Sequence, residues 1–191
     1  MCQVHHHLCH DSSVSKGNRA RAFSYRKVPD FPKKGVLYYD ITGILAVPEA
    51  FSYCINRMEE LCKGKKIDSI AAVEARGFIF GAPLAERLGL PFILVRKMGK
   101  LPNKVVTKSF ELEYGCDVVC VQEVDIVEGS NILLVDDLIA TGGTLQAAAA
   151  MFTEHGAHVT GFMGVIGLPF LQYEKTLAGY PVEVLQLYHG E

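Results

Sequence analysis

The chain has 191 residues, 49% hydrophobic and 21% charged, a balance that suits one globular domain with a full core and excludes wholesale disorder. Its formal net charge of −2 argues against nucleic acid as the main partner, since gripping a phosphate backbone takes a basic surface. No apolar stretch approaches the ~20 residues that cross a bilayer and the first residues lack an apolar signal run, so no membrane partner and a cytoplasmic protein are expected.

Residues 1–21 carry Cys2, His5, His6, His7, Cys9 and His10 ahead of SSVSKGN. Such a cluster can bind a soft metal, but its polar setting reads as a disordered tail. From about 22 to 45, Pro29, Pro32, Gly35 and Gly43 stand among apolar residues with no regular repeat, which suggests a small hood at the start of a single domain running to residue 191. Cys54 and Cys62 fall in an expected helix and Cys116 and Cys120 in an apolar run, so all four are read as buried free thiols.

From residue 67 strand and helix patterns alternate. Expected strands are Ile67 to Val73, Phe92 to Val95, Cys116 to Val121, Ile132 to Val135, His158 to Ile166 and Val182 to Tyr188. A helix stopped by Gly89, with Pro83 early in it, separates the first two. Another, with Leu145, Ala148, Ala149 and Phe152 on one face, ends at Gly156. The alternation gives an α/β class: a mostly parallel twisted sheet flanked by helices. Residues 96–115 show no clear periodicity. An irregular stretch of about 20 residues inside a compact domain is usually a lid or binding loop.

Three places carry chemistry. Glu74, Ala75, Arg76 and Gly77 follow a strand and open a helix, so Arg76 would offer its fork of donors over a helix N-terminus, an anion site. Arg96, Lys97 and Lys100 cluster at the next strand's end. Most telling is ILLVDDLIATGGT at residues 132–144, where the loop again lies between a strand's carboxyl end and a helix's N-terminus. Ala140, Thr141, Gly142, Gly143 and Thr144 suit a phosphate: small residues let backbone N–H groups converge on one anion, and the threonines add hydroxyl donors. Asp136 and Asp137 would repel a phosphate, so they call for vicinal ribose hydroxyls or a divalent cation.

This ordered set resembles the phosphoribosyl diphosphate (PRPP) signature of the type I phosphoribosyltransferases. EARGF at 74–78, RKMGKLP at 96–102, LEYG at 112–115 and DFPKKGV at 30–36 narrow the resemblance to the adenine phosphoribosyltransferases, from about residue 22 onward. It implies their fold and a purine-salvage activity, adenine and PRPP giving AMP and diphosphate with Mg²⁺, in a homodimer. It implies that Ala140 to Thr144 bind the 5′-phosphate and that Asp136 and Asp137 hold the ribose diol. Glu74, Ala75, Arg76, Lys97 and Lys100 would meet the diphosphate, through a loop that in this family often has a non-proline cis peptide. Arg96 would reach a neighbouring subunit's site. Glu113 would serve proton transfer or hydrogen bonding on the purine while Tyr114 closes over the reactants, and Leu37 and Tyr39 would meet adenine; many relatives carry Arg where this chain has Tyr39. No direct protein ligand to Mg²⁺ is implied, only substrate oxygens and water. Two alternatives keep the fold: an enzyme for xanthine, hypoxanthine or orotate, which RKMGKLP with LEYG disfavours, and a PRPP-sensing regulator, which should carry a helix-turn-helix or a basic face.

Overall fold

A computed structural model of the chain describes residues 26–30, 34, 37–112 and 115–189. Its described residues divide into two compact units, one within residues 58–191 and one within residues 7–57. The N-terminal Cys/His cluster lies outside the described residues.

In the unit of residues 7–57, strands β1 (Arg26–Pro29) and β2 (Leu37–Asp40) pair antiparallel, with Lys27 opposite Tyr39. A short helix α1 (Thr42–Leu45) follows, its start marked by Asp40, whose carboxylate accepts from the Thr42 N–H and hydroxyl at 2.9 and 2.6 Å. Helix α2 (Pro48–Cys62) begins with proline at its first position, where the missing N–H costs nothing. The strand pair was not legible as a repeat because each strand is only four residues long.

The unit of residues 58–191 holds a seven-stranded sheet in the order β5-β6-β4-β3-β7-β8-β9. The strands are β3 (Ser69–Val73), β4 (Phe92–Lys97), β5 (Val105–Leu112), β6 (Gly115–Gln122), β7 (Asn131–Ile139), β8 (His158–Gly167) and β9 (Val182–Leu187). β4, β3, β7, β8 and β9 run parallel, while β6 pairs antiparallel with β4 and β5 antiparallel with β6. Helix α3 (Gly77–Leu88) joins β3 to β4, α4 (Gly143–Glu154) joins β7 to β8, and the short α5 (Tyr173–Thr176) lies before β9.

Helices cover both faces. A Cβ at Gly81 of α3 would lie 2.7 Å from the Ala72 Cβ, so α3 approaches that face as closely as glycine allows. Ala71 and Val73, pointing the other way by strand alternation, share a buried cluster with Leu145, Ala148 and Phe152 of α4. Each large apolar side chain buried there contributes roughly 1.5–3 kcal/mol. Coverage on both sides explains the uninterrupted apolar runs, and the α/β class is as expected. Both helices stop where glycine takes a left-handed conformation, Gly89 at φ 65° and Gly156 at φ 83°. Among the described residues no helix is long and apolar enough to cross a membrane.

Four expectations need correction. Residues 96–115 are not an irregular stretch: Val105–Leu112 form β5, paired with β6 from Val105–Gln122 to Leu112–Gly115. Its sequence VVTKSFEL does not alternate cleanly, and the antiparallel partner supplies the order that local pattern does not show. β7 does not end at Val135 but continues through both aspartates to Ile139, because Asp136, Leu138 and Ile139 still pair with β8. Pro83 sits mid-way along α3 rather than early, because the helix begins at Gly77, directly after Arg76. Cys54, Cys62 and Cys120 are buried free thiols, with burial pushing Cys54 up to about 12, whereas Cys116 is exposed, standing on β6 before the stretch that pairs with β4 and beside an open cavity.

Candidate active site

The chain leaves the carboxyl end of β3 toward β4 on one side of the sheet, and the end of β7 toward β8 on the other. A crevice opens where neighbouring parallel strands diverge in this way, and open α/β sheets bind ligands there. A cavity of about 210 Å³ occupies it, lined among others by Glu74, Arg76, Arg96, Lys97, Asp136, Asp137 and Thr144. Six ionisable side chains of β3, β4 and β7 or their ends thus face one small space.

On the β3 side, the Glu74–Ala75 peptide is cis. The Glu74 carboxylate bridges to the end of β4, accepting from Arg96 Nε at 2.8 Å and from the Lys97 backbone N–H at 3.2 Å. Arg96 Nη1 donates to the Lys100 carbonyl at 2.9 Å, closing the turn that follows. Arg96 is therefore anchored within its own chain. Lys97 Nζ bonds Asp117 Oδ2 at 2.7 Å, and the other Asp117 oxygen accepts from the Val118 N–H at 2.9 Å. Lys97, then that N–H, hold the Asp117 carboxyl below the usual carboxylate range. Lys100 is exposed and does not line the cavity.

On the β7 side, Asp137 is only 2% exposed. Arg76 Nε faces its Oδ2 at 3.1 Å, yet that buried oxygen receives no hydrogen bond among the described residues. Asp136 Oδ1 accepts from the Asp137 N–H at 2.8 Å. Burial pushes the Asp136 carboxyl well above its ordinary value, and the neighbouring charge of Asp137 adds to that. Burial raises Asp137 as well, with Arg76 pulling it back. Two adjacent carboxylates in a confined space are costly unless a function needs them there. Gly77 makes the closeness feasible: a Cβ on it would lie 3.0 Å from the Val135 carbonyl and 3.1 Å from Asp136 Oδ1.

Residues 140–144 turn from β7 into α4. Gly142 takes φ 82°, and a Cβ there would meet the buried Leu177 side chain at 2.9 Å, so both backbone and space demand glycine. The Gln146 N–H donates to the Gly142 carbonyl at 2.9 Å and its side chain to the Thr176 carbonyl at 2.9 Å, fixing the loop from behind. The first N–H groups of α4 have no partner within the helix and aim at the loop's mouth. Thr141 and Gly143 line a neighbouring cavity of about 800 Å³ together with Lys108, Phe110 and Cys116 of the β5–β6 hairpin. Phe110 borders both cavities, and Lys108 is ion-paired with Glu154 of α4.

Residues 38–169 match the model of the phosphoribosyl transferase domain family. Over 166 residues, 87% of each chain, the sequence is 58% identical to an adenine phosphoribosyltransferase of Treponema denticola. This chain belongs to the adenine phosphoribosyltransferases. The crystal structure of adenine phosphoribosyltransferase from Thermoanaerobacter pseudethanolicus superposes with a TM-score of 0.87 at 43% identity, covering 90% of this chain and 99% of that one. That of the Saccharomyces cerevisiae enzyme, complexed with an imino-altritol bisphosphate and adenine, superposes with a TM-score of 0.83 at 36% identity, covering 91% and 100%.

Of the residues that resemblance to the adenine phosphoribosyltransferases singled out, Glu74, Arg76, Arg96, Lys97, Asp136, Asp137 and Thr144 come together in one cavity. Thr141 and Gly143 border the adjoining one. Ala75 shares the cis peptide with Glu74, and Ala140 is half-buried at the end of β7. Leu37, half-buried, and Tyr39, 5% exposed, belong to β2 of the other unit. Glu113 and Tyr114 lie outside the described residues. Sequence reasoning missed Asp117 and Phe110. Asp117 left one signal, a lone carboxylate in the apolar run GCDVVCV, whereas Phe110 left none.

Proposed function

We propose that the crevice between β3 and β7 binds PRPP and transfers its ribose 5-phosphate to adenine, giving AMP and diphosphate. The observation that supports this most is Asp137 Oδ2, a buried acceptor that receives no hydrogen bond among the described residues and faces only the Arg76 cation, in a cavity that also holds Lys97. A buried oxygen of this kind suits a ribose hydroxyl, and the flanking cations suit the diphosphate on the same sugar.

In this reading Ala140, Thr141, Gly142, Gly143 and Thr144 grip the 5′-phosphate with backbone N–H groups and hydroxyls, and Asp136 and Asp137 accept from the ribose diol. Glu74, Ala75 and Arg76 form the diphosphate side with Lys97 and Lys100. The C1–O bond breaks ahead of bonding to adenine N9, the diphosphate leaving with the electron pair. Positioned cations then matter most, because their partner's charge grows as the bond breaks. Adenine N9 closes onto C1 and the purine loses a proton, for which Glu113 is the proposed partner while Tyr114 closes over the reactants. Leu37 and Tyr39 are proposed for the base on the resemblance, and a homodimer is proposed on the same ground.

Mg²⁺ fits this donor set as an ion carried by substrate. Asp136 Oδ1 accepts from the Asp137 N–H and Asp137 Oδ2 faces the Arg76 cation, a setting that favours a ribose hydroxyl over a second cation at these carboxylates. Diphosphate and ribose oxygens with water would complete its shell, and it would neutralise charge on the diphosphate. The test is Asp136→Asn with Asp137→Asn. Each lost charge-assisted hydrogen bond should remove roughly 1.5–3 kcal/mol of transition-state binding, so kcat/KM for PRPP collapses while the fold persists. Near-normal kcat/KM for PRPP would rule the assignment out.

A further inference from the structure

Lys97, proposed above to meet the diphosphate, already has a counter-ion. Its Nζ lies 2.7 Å from Asp117 Oδ2, with the lysine side chain 61% exposed and the aspartate 27%. The pair is built by the sheet. β4 and β6 run antiparallel with Lys97 opposite Val119, and Asp117 stands two residues along β6, on the same face as Val119 by strand alternation. The Val118 N–H holds the second Asp117 oxygen, so the carboxylate is oriented by its own strand and not by the lysine alone. Asp117 also lines the 210 Å³ cavity, within the space that receives the anion. An incoming diphosphate and Asp117 therefore compete for one ammonium group.

We propose that Asp117 is a positioning residue that holds Lys97 in the empty site and competes with diphosphate for it, weakening the grip on the product and easing its release. The inference rests on the reading of Lys97 as a diphosphate ligand. A site with several cations and a helix N-terminus would otherwise retain a multiply charged product, and product release commonly limits turnover. Competition from a fixed carboxylate lowers that affinity without removing a cation from the reaction. Because the pair is largely exposed, the effect is modest, about two- to fivefold in an equilibrium constant.

The experiment measures Mg²⁺-diphosphate binding by calorimetry, with kcat and KM for PRPP, in Asp117→Asn, Lys97→Ala and the double variant. Asp117→Asn, which keeps size and the bond from Val118, should tighten diphosphate about two- to fivefold and lower kcat and KM for PRPP together. The same replacement in the Lys97→Ala background should have a clearly smaller effect, and Asp117→Glu should restore the original affinity. Asp117→Ser serves as a second neutral variant should the asparagine fold poorly. Weaker diphosphate binding in the neutral variants would overturn the proposal, since Asp117 would then aim Lys97 at the anion. Equal tightening in both backgrounds would overturn it too, as a general charge effect. Unchanged diphosphate binding in Lys97→Ala alone would instead sink the reading of Lys97 on which the proposal stands.

Discussion

Gly77→Ala probes the seam that sets Arg76 against Asp137. The added Cβ would stand 3.0 Å from the Val135 carbonyl oxygen, 3.1 Å from Asp136 Oδ1 and 3.2 Å from Asp136 Cα. Two of those three atoms are backbone of β7, which is hydrogen-bonded to a strand on each side, so neither can swing aside. Overpacking of this kind typically costs about 1–3 kcal/mol. Alanine returns at most about 1 kcal/mol of helix propensity. The steric term wins, for a net loss of about 0–2 kcal/mol and a fall in melting temperature of roughly 2–4 °C per kcal/mol in a domain of this size. Activity should suffer more than stability. Moving α3 off β7 by a few tenths of an ångström carries Arg76, the residue before Gly77, away from Asp137 Oδ2 at 3.1 Å. Since a misplacement of about 1 Å can cost about 100-fold, a loss of about tenfold in kcat/KM for PRPP is expected at saturating adenine. Thermal melting and steady-state kinetics on the same preparation check both. A raised melting temperature with unchanged kcat/KM would mean instead that propensity decides and that the α3–β7 contact has room to give.

Asp136→Asn should raise stability at neutral pH while lowering activity. Its carboxyl is held above the ordinary value, so between the unfolded value of about 3.9 and the raised folded one the native state holds a proton that the unfolded chain has lost, and stability falls as pH rises through that window. Melting curves from pH 4 to 8 should show the variant gaining on the parent as pH rises; a gap that does not widen would count against a strained carboxylate pair. Lys100→Ala should lower kcat with little change in the adenine KM, and an effect confined to the adenine KM would take Lys100 off the diphosphate.

The parallel half of the fold was legible because strands covered on both faces are apolar over long runs: IAAV and FILV stand between segments rich in charge or glycine, and ILLV begins just after one. β5 was not, because its register is written in β6: Phe110 faces Asp117 and Thr107 faces Cys120, pairings that no local period announces. The same non-local cause hid Asp117, whose partner Lys97 lies 20 residues earlier. Asp136, Asp137, Arg76 and Lys97 were readable because strand ends and helix starts in an α/β sheet converge on one crevice, whatever the side chains between them. Gly77 read as part of a loop motif. Its physical role, close approach of α3 to β7, appears only when the Asp136 carboxylate is seen beneath it.

The central claim is that the β3–β7 crevice makes AMP from adenine and PRPP. Its most direct test is AMP formation by the purified chain with Mg²⁺ and PRPP, with adenine, guanine, hypoxanthine and xanthine supplied singly and then in competition. Adenine should give stoichiometric AMP and diphosphate and be strongly preferred over the 6-oxopurines, and Asp136→Asn with Asp137→Asn should abolish both products. Binding of PRPP without nucleotide formation from any base, or a preferred 6-oxopurine, would contradict the claim.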